Sequence, residues 1–115
     1  MKTIKKHIIQ GEVVSEQNGR GIPNLRVEAW DKDLIIDDLL GSTTTDSEGK
    51  FEIHFDEVYH KELFMDYKPD IYFRIFLKSQ LVMSTENDIQ WNMTSFDKPF
   101  TLKVELPEPD KVLPL

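Results

Sequence analysis

Alternation of apolar and polar residues constrains the fold of this chain more than any other feature. In "LRVEAWD" (25–31), Leu25, Val27 and Ala29 alternate with charged or aromatic residues, and the segments 50–55, 71–78 and 100–106 repeat the pattern. Successive side chains of a β-strand point to opposite faces, so each segment predicts a strand with one buried face. Further strands are predicted near His7–Val14 and Leu81–Ser84, and six or seven strands are expected in all.

The connections between these segments are rich in turn-forming residues, which favours short antiparallel connections. In "TDSEGKF" (45–51), Asp46 and Gly49 have the spacing of a type I turn followed by a left-handed residue. A short helix is predicted over 56–64, because Asp56 suits an N-cap. The sequence therefore predicts an all-β, two-sheet antiparallel Greek-key sandwich over residues 1–106.

Two regions near the end of the chain have a less regular pattern. Trp91, Met93 and Phe96 are expected either to form another strand or to plug one end of the core. The tail at 107–115 is rich in proline and is expected to leave the sheet.

Composition limits the classes of function. The 115 residues carry a net charge of −7 without a basic stripe, which argues against nucleic acid and against an anionic membrane as partners. No cysteine is present, so disulfides and thiolate chemistry are excluded. No signal peptide is recognisable, so we expect a cytoplasmic protein, with non-classical export left open.

The order of these motifs resembles the transthyretin-like and carboxypeptidase-regulatory-like β-sandwiches. The resemblance covers roughly the first half of the chain and rests on a "Gly-x-Val" start, a Gly before "x-Pro", and a "Thr-Asp-x-x-Gly-x-Phe" hairpin. Those positions are Gly11–Val13, Gly21–Pro23, Val27, Gly41, Thr45, Asp46, Gly49 and Phe51. The resemblance implies that Asp46 closes a turn, that Gly49 takes a positive φ, and that Phe51 enters the core.

The aspartates at 31, 33, 37 and 38 raise the question of a calcium site. An EF-hand loop needs an oxygen ligand at its fifth position and glycine at its sixth. Counting from Asp31, those positions are Ile35 and Ile36, so the EF-hand pattern fails. A solvated acidic loop that discourages edge-to-edge strand pairing is the favoured interpretation, and a looser calcium site stays an alternative.

Catalytic motifs known from similar folds do not match this sequence. The 5-hydroxyisourate hydrolases, built on the transthyretin fold, use several histidines, an arginine and a "Tyr-Arg-Gly-Ser" motif that this chain lacks. Intradiol dioxygenases need a His-x-His pair, which is also missing. We therefore predict no catalytic residues, no metal and no cofactor.

A group of large and charged residues falls on the non-core face of two strands. In the resembling fold the second and fifth strands are neighbours, which would place Arg26, Glu28 and Trp30 beside Tyr72, Arg74 and Phe76. Aromatic residues and arginines are typical of interface hot spots. The alternative is that the predicted helix or the long 56–70 segment covers this face and makes it a minor second core.

Two functions follow from these observations. The first is a non-catalytic interaction or adaptor module, accessory to a bacterial secretion or surface system. It would bind another protein or a second copy of itself, through the sheet face or an edge strand, and a homodimer is possible. The second is a small hydrolase acting at an oligomer interface with Glu52, His54, His60 and Arg74.

Overall fold

Two β-sheets packed face to face make up the computed structural model, which describes residues 2–60, 69–91, 93 and 96–107. The strands are β1 (Lys2–Ser15), β2 (Arg26–Asp31), β3 (Asp38–Thr44), β4 (Lys50–His60), β5 (Ile71–Leu77), β6 (Gln80–Ser84) and β7 (Phe100–Val104). The predicted all-β sandwich of about seven strands is confirmed.

The sheets have three and four strands. The order is β4-β1-β7 in one sheet and β3-β2-β5-β6 in the other, so the chain crosses between sheets after β1, β3, β4 and β6. Most neighbouring strands are antiparallel, as predicted, but β1 and β7 are parallel, with Gly11 opposite Phe100 and Ser15 opposite Val104. The prediction of a purely antiparallel sandwich is wrong at this pair. A parallel pair needs a long crossover connection, and here β1 and β7 are the first and last strands.

The core consists of the inward faces of both sheets, as the alternation predicts. Phe73 of β5 lies at its centre, with its ring 6.0 Å from that of Phe51 and 4.9 Å from that of Phe100, both edge-on. Burying such a side chain stabilises the fold by about 1.5–3 kcal/mol. The fully or nearly buried cluster is Ile9, Val13, Leu25, Val27, Ala29, Phe51, Ile53, Phe55, Ile71, Phe73, Ile75, Leu102 and Val104.

One end of this core is closed by the segment before β7. Met93 and Phe96 are partly buried and pack against the core. The Phe96 ring lies 5.4 Å from the Phe55 ring and 4.9 Å from the His7 ring. Trp91 is 62% exposed, so of the three residues predicted to plug the core, Met93 and Phe96 do so.

The helix predicted over 56–64 is wrong for residues 56–60. These residues extend β4 and pair antiparallel with the start of β1, from Lys6 opposite Asp56 to Lys2 opposite His60. The N-cap signal at Asp56 is local, whereas the ladder with β1 satisfies the same backbone groups over the whole length of the strand. Residues 61–64 lie outside the described part of the chain.

The turn between β3 and β4 is held by side chains as well as backbone. Asp46 Oδ1 accepts hydrogen bonds from the N–H groups of Glu48 and Lys50, both at 2.9 Å. Gly49 has φ of +82°, a left-handed conformation that suits glycine. Buried Thr45 accepts a bond from Leu25 N–H at 2.9 Å and donates one to the Ile22 carbonyl at 2.7 Å.

Apart from Pro107, the predicted proline-rich tail at 107–115 lies outside the described residues. Within the described ranges, the structure has no helix of the length and apolarity that a bilayer crossing requires.

Candidate functional site

The six residues grouped from the sequence lie side by side on one face of the four-stranded sheet. Strands β2 and β5 are antiparallel neighbours. Residues directly opposite each other share a face of the sheet, and this face is the one turned away from the core. We call it the β2–β5 outer face. Its opposed pairs are Arg26 with Phe76, Glu28 with Arg74, and Trp30 with Tyr72.

The aromatic and arginine side chains of this face stack on one another. The Trp30 and Tyr72 rings are nearly parallel, at 13°, with centroids 6.4 Å apart. The Arg74 guanidinium lies 5.0 Å from the Trp30 centroid and 5.6 Å from the Tyr72 centroid. A guanidinium within about 6 Å of an aromatic face is attracted by the ring quadrupole. The three side chains therefore support one another.

Tyr72 is fully buried, although the alternation predicts an outward side chain. Its hydroxyl donates a hydrogen bond of 2.5 Å to Asp37 Oδ2, from the loop between β2 and β3. Burial, together with this bond to a carboxylate, raises the pKa of Tyr72. The expectation that Tyr72 belongs to an exposed patch is therefore wrong, because this part of the face is covered.

Charged side chains continue the cover around Tyr72. Lys32 Nζ lies 3.5 Å from Asp37 Oδ2 and 3.1 Å from Glu86 Oε2. Arg74 Nη2 lies 3.3 Å from the other oxygen of Glu86. This group, Lys32, Asp37, Tyr72, Arg74 and Glu86, forms a continuous chain of hydrogen bonds and ion pairs over the sheet, which we call the polar cover.

The pKa shifts follow from these contacts. The pKa of Asp37 is lowered, first by the hydrogen bond from the Asp33 backbone N–H and then by the Tyr72 hydroxyl. Hydrogen bonds from Lys32 and then Arg74 lower the pKa of Glu86, and the bond to Glu86 raises that of Lys32. All three groups are therefore held in their charged forms at neutral pH.

The rest of the face is partly accessible. Glu28 accepts hydrogen bonds from Trp30 Nε1 at 3.0 Å and from Arg26 Nε at 3.1 Å, and its own side chain is only 13% exposed. Arg26 is 51% exposed, and Trp30 and Phe76 are half-buried. A partner that approached this face would meet Arg26, Trp30 and Phe76 first.

Sequence reasoning missed three members of the site: Lys32, Glu86 and Leu81. Leu81 lies opposite Phe76 on β6 and is 49% exposed, so it enlarges the apolar part of the face. Alternation does not indicate this position, because the register shift between Ile75 and Phe76 places Leu81 opposite Phe76, whereas Met83, two residues later, lies opposite the core residue Ile75. Glu86 carries no local signal, because its role depends on the turn after β6 that brings it to Lys32 and Arg74.

The aspartates of the 31–38 segment have separate roles. Buried Asp31 accepts a hydrogen bond from Asp70 N–H at 2.9 Å, whereas Asp37 bonds to Tyr72 and Lys32. Among the residues that the structure describes, no group of three or more histidine, cysteine or acidic side chains is arranged to hold a metal ion. Asp31 and Asp37 therefore connect the end of β2 and the loop after it to the start of β5.

The residues of the hydrolase alternative lie on different sheets. Glu52 and His54 are on the exposed face of β4, with a 2.6 Å contact between Oε1 and Nε2. Arg74 lies on the outer face of the opposite sheet. Nothing is described for the side chain of His60. The described members of this set therefore form an exposed pair and a separate arginine.

A cleft of about 580 Å³ lies where β1, β4 and the start of β7 meet the end of β3. Its charged lining consists of Glu12, Asp46, Lys50 and Glu52. Asp46 is committed to the turn through two backbone hydrogen bonds, which lower its pKa. The cleft therefore has an acidic lining and lies away from the β2–β5 outer face.

Comparison with known families decides the classification. The sequence profile of the transthyretin-like family TTR-52 matches residues 17–93, which is more than half of the chain. The chain belongs to the transthyretin-like family. This family is not known to be catalytic. A comparison with curated proteins found no match to this chain.

Solved structures share the fold of this transthyretin-like chain. A 9R-lipoxygenase from Cyanothece PCC8801 matches 93% of the chain with a TM-score of 0.58 and 22% identity. The match covers 20% of that protein, so the chain spans about a fifth of its length. An alternative pilotin from the type II secretion system of Vibrio cholerae matches over 90% of the chain and 100% of the pilotin, with a TM-score of 0.50 and 14% identity. At these identities the likeness shows the fold alone.

Proposed function

We propose that this chain is a non-catalytic protein-interaction module that binds its partner through the β2–β5 outer face. The observation that carries the proposal is that Trp30, Phe76 and Arg26 lie on one accessible face of the sheet, next to side chains that are already held in place. Their neighbours Glu28 and Arg74 are already hydrogen-bonded or stacked, so binding would order few side chains. Preorganisation of this kind lowers the entropic cost of association.

The burial of Tyr72 refines the proposal. The side chains that would contact a partner directly are Arg26, Trp30 and Phe76, with Leu81 beside Phe76, while Tyr72 packs against the Trp30 ring from the neighbouring strand. Truncating Tyr72 would therefore weaken binding through a change in the position of Trp30. This division of roles is typical of interfaces in which a few anchors carry most of the binding energy.

A role as an accessory to a bacterial secretion or surface system is the finer part of the proposal. Its support is the similarity in fold to a pilotin over that protein's full length. A fold hosts many functions, so the partner must be identified by experiment.

The test compares two double variants immobilised side by side. Trp30→Ala/Phe76→Ala removes two anchors of the face, and Ile8→Ala/His54→Ala removes an exposed, directly opposed pair from the other sheet. Extract of the source organism is passed over both variants and the wild type, after circular dichroism has shown that each variant folds. Retained proteins are identified by mass spectrometry.

The expected result is a protein held by the wild type and by the β1–β4 control, and lost from the Trp30/Phe76 variant. Purified, that protein should bind the Trp30/Phe76 variant at least about ten-fold more weakly than wild type. Equal retention by all three forms would rule out this face as the contact surface. Concentration-dependent dimerisation that disappears in the same variant would instead identify a second copy as the partner.

A further inference from the structure

The loop between β2 and β3 exposes three consecutive large apolar side chains. Leu34, Ile35 and Ile36 are 101%, 89% and 73% exposed. We call these three residues the apolar tip. Single exposed apolar residues are common on protein surfaces, but three adjacent ones with almost no protein contact are unusual.

The base of this loop is fixed to the sheet. Asp37 Oδ1 accepts a hydrogen bond from Asp33 N–H at 3.0 Å across the loop, and its other oxygen accepts from the Tyr72 hydroxyl. On the other side, Lys32 N–H donates to the Asp70 carbonyl at 2.9 Å. The apolar tip is thus presented by a loop that is tied at both ends, which lowers the cost of ordering it on binding.

The loop continues the β2–β5 outer face. Leu39, 48% exposed, lies opposite Trp30 in the β2–β3 ladder, and Asp37 covers Tyr72. The loop that carries the apolar tip therefore adjoins the Trp30 end of the β2–β5 outer face.

Charges beside the tip indicate what kind of partner fits it. Asp33 precedes the tip and Asp38 follows it, and both are exposed. An anionic lipid surface would repel these carboxylates and a chain with a net charge of −7. The chain's own cleft would also repel them, because Glu12, Asp46 and Glu52 outnumber its Lys50. An apolar pocket bordered by lysine or arginine, on a different protein, is complementary to the apolar side chains of the tip and to the charges beside it.

We propose that the apolar tip inserts into an apolar pocket with a basic rim on the partner protein. The inference rests on the proposed interaction function and adds a second contact to the β2–β5 outer face. The tip provides buried apolar area, while Asp33 and Asp38 pair with the basic rim and guide the approach.

The test uses a tip variant, Leu34→Ser/Ile35→Ser, with Ile4→Ser as the matched control. Ile4 is 54% exposed on β1 of the other sheet, so it is also an exposed isoleucine but lies away from the tip. Proteins retained from extract of the source organism are compared across wild type, both of these variants and Trp30→Ala/Phe76→Ala. A retained protein is then purified and titrated against each form at low and high salt.

The expected result is a partner that binds the tip variant at least about ten-fold more weakly and the Ile4→Ser control as well as wild type. Wild-type affinity should fall as salt rises, and Asp33→Asn/Asp38→Asn should reduce that dependence. If the tip variant binds normally while the Trp30/Phe76 variant does not, this inference fails and the proposed function stands. If no protein depends on either surface, both fail.

Two further measurements address other occupants of the tip. Co-sedimentation is measured with vesicles of phosphatidylcholine alone and with added phosphatidylserine, and self-association by sedimentation velocity. Binding to either kind of vesicle that the tip variant loses would overturn the inference in favour of a membrane. A dimer that the tip variant loses would overturn it in favour of a second copy.

Discussion

A buried carboxyl at the end of β2 makes the stability of this protein depend on pH in an unusual direction. Asp31 is 7% exposed, and its pKa is raised from 3.8 to about 6, with burial as the largest cause. The hydrogen bond from Asp70 N–H opposes this rise, and the negative charges of Asp70, Asp38 and Asp33 contribute to it. The folded protein therefore binds this proton more tightly than the unfolded chain does.

The sign and size of the effect follow from that difference in pKa. Since the folded value is the higher one, the stability that Asp31 contributes is complete below about pH 4 and is lost as the pH rises through about 6. A shift of about two units corresponds to about 3 kcal/mol at 1.36 kcal/mol per unit. At neutral pH the charged Asp31 thus lowers the free energy of unfolding by up to that amount.

Asp31→Asn tests this reasoning. The amide keeps an oxygen for the Asp70 N–H and removes the charge. We expect the variant to gain about 2–3 kcal/mol relative to wild type between pH 4 and pH 7.5. The measurement is urea unfolding of both proteins at half-unit pH intervals, followed by fluorescence. Groups common to both proteins cancel in the difference, including Asp37, Asp46 and Glu86, whose lowered pKa values stabilise the fold above acid pH.

Asp38→Asn is the control, because it removes an exposed charge from the same segment. It should leave most of the wild-type slope between pH 4 and pH 7.5 in place, since burial is the main cause of the Asp31 shift. If the free-energy difference between Asp31→Asn and wild type is constant across this range, the argument from burial is refuted.

Three further substitutions test the turn, the core and the polar cover. Gly49→Ala should lower the free energy of unfolding by at least about 3 kcal/mol, because φ is +82° and a Cβ would lie 2.6 Å from backbone atoms. The control is Gly19→Ala, at φ +73° in open space, which should lower it by about 1–2 kcal/mol in the same urea assay. Equal losses for the two variants would contradict the steric argument. Thr45→Val should lower the free energy of unfolding by about 1–3 kcal/mol, because it leaves the buried Leu25 N–H and the part-buried Ile22 carbonyl without their partner, and a loss near zero would mean that water replaces the hydroxyl. Tyr72→Phe should keep the ring but remove the hydroxyl that bonds to Asp37. Amide hydrogen exchange should then become faster across residues 32–37 and not across the 45–49 turn. Unchanged exchange across 32–37 would show that the hydrogen bond between Tyr72 and Asp37 does not hold the loop.

Alternation and turn residues predicted most of the sandwich because both act locally. Val27 and Ile75 are buried where a period of two puts them, and the spacing of Asp46 and Gly49 matches the turn that connects β3 to β4. The parallel pairing of β1 with β7 could not be predicted in this way. It joins the first and last strands, and no periodic pattern specifies which strands become neighbours.

The helix error at 56–60 and the burial of Tyr72 have the same origin. In both cases a distant segment of the chain decides the outcome: Lys2–Lys6 pairs with 56–60, and Asp37 reaches Tyr72 across 35 positions. Alternation correctly gave the face on which Tyr72 lies. It carries no information on whether a loop folds over that face.

For the proposed interface, the polar cover closes one part of the sheet face and leaves the rest accessible. If Trp30, Tyr72 and Phe76 were all uncovered, this face would leave a broad apolar area in water, with the risk of nonspecific association. Asp37 and Glu86 reduce that area by covering Tyr72 and fixing Arg74. The side chains left accessible are held by fixed neighbours, which favours selective binding over general adhesion.

The same carboxylate, Asp37, connects this cover to the apolar tip. One of its oxygens closes the 32–37 loop through Asp33 N–H, and the other receives the Tyr72 hydroxyl. The position of the tip and the support of Trp30 therefore depend on one group, which is kept charged by those hydrogen bonds. A partner that contacts both surfaces would find them already held in a fixed relation, so its second contact would follow the first at little entropic cost.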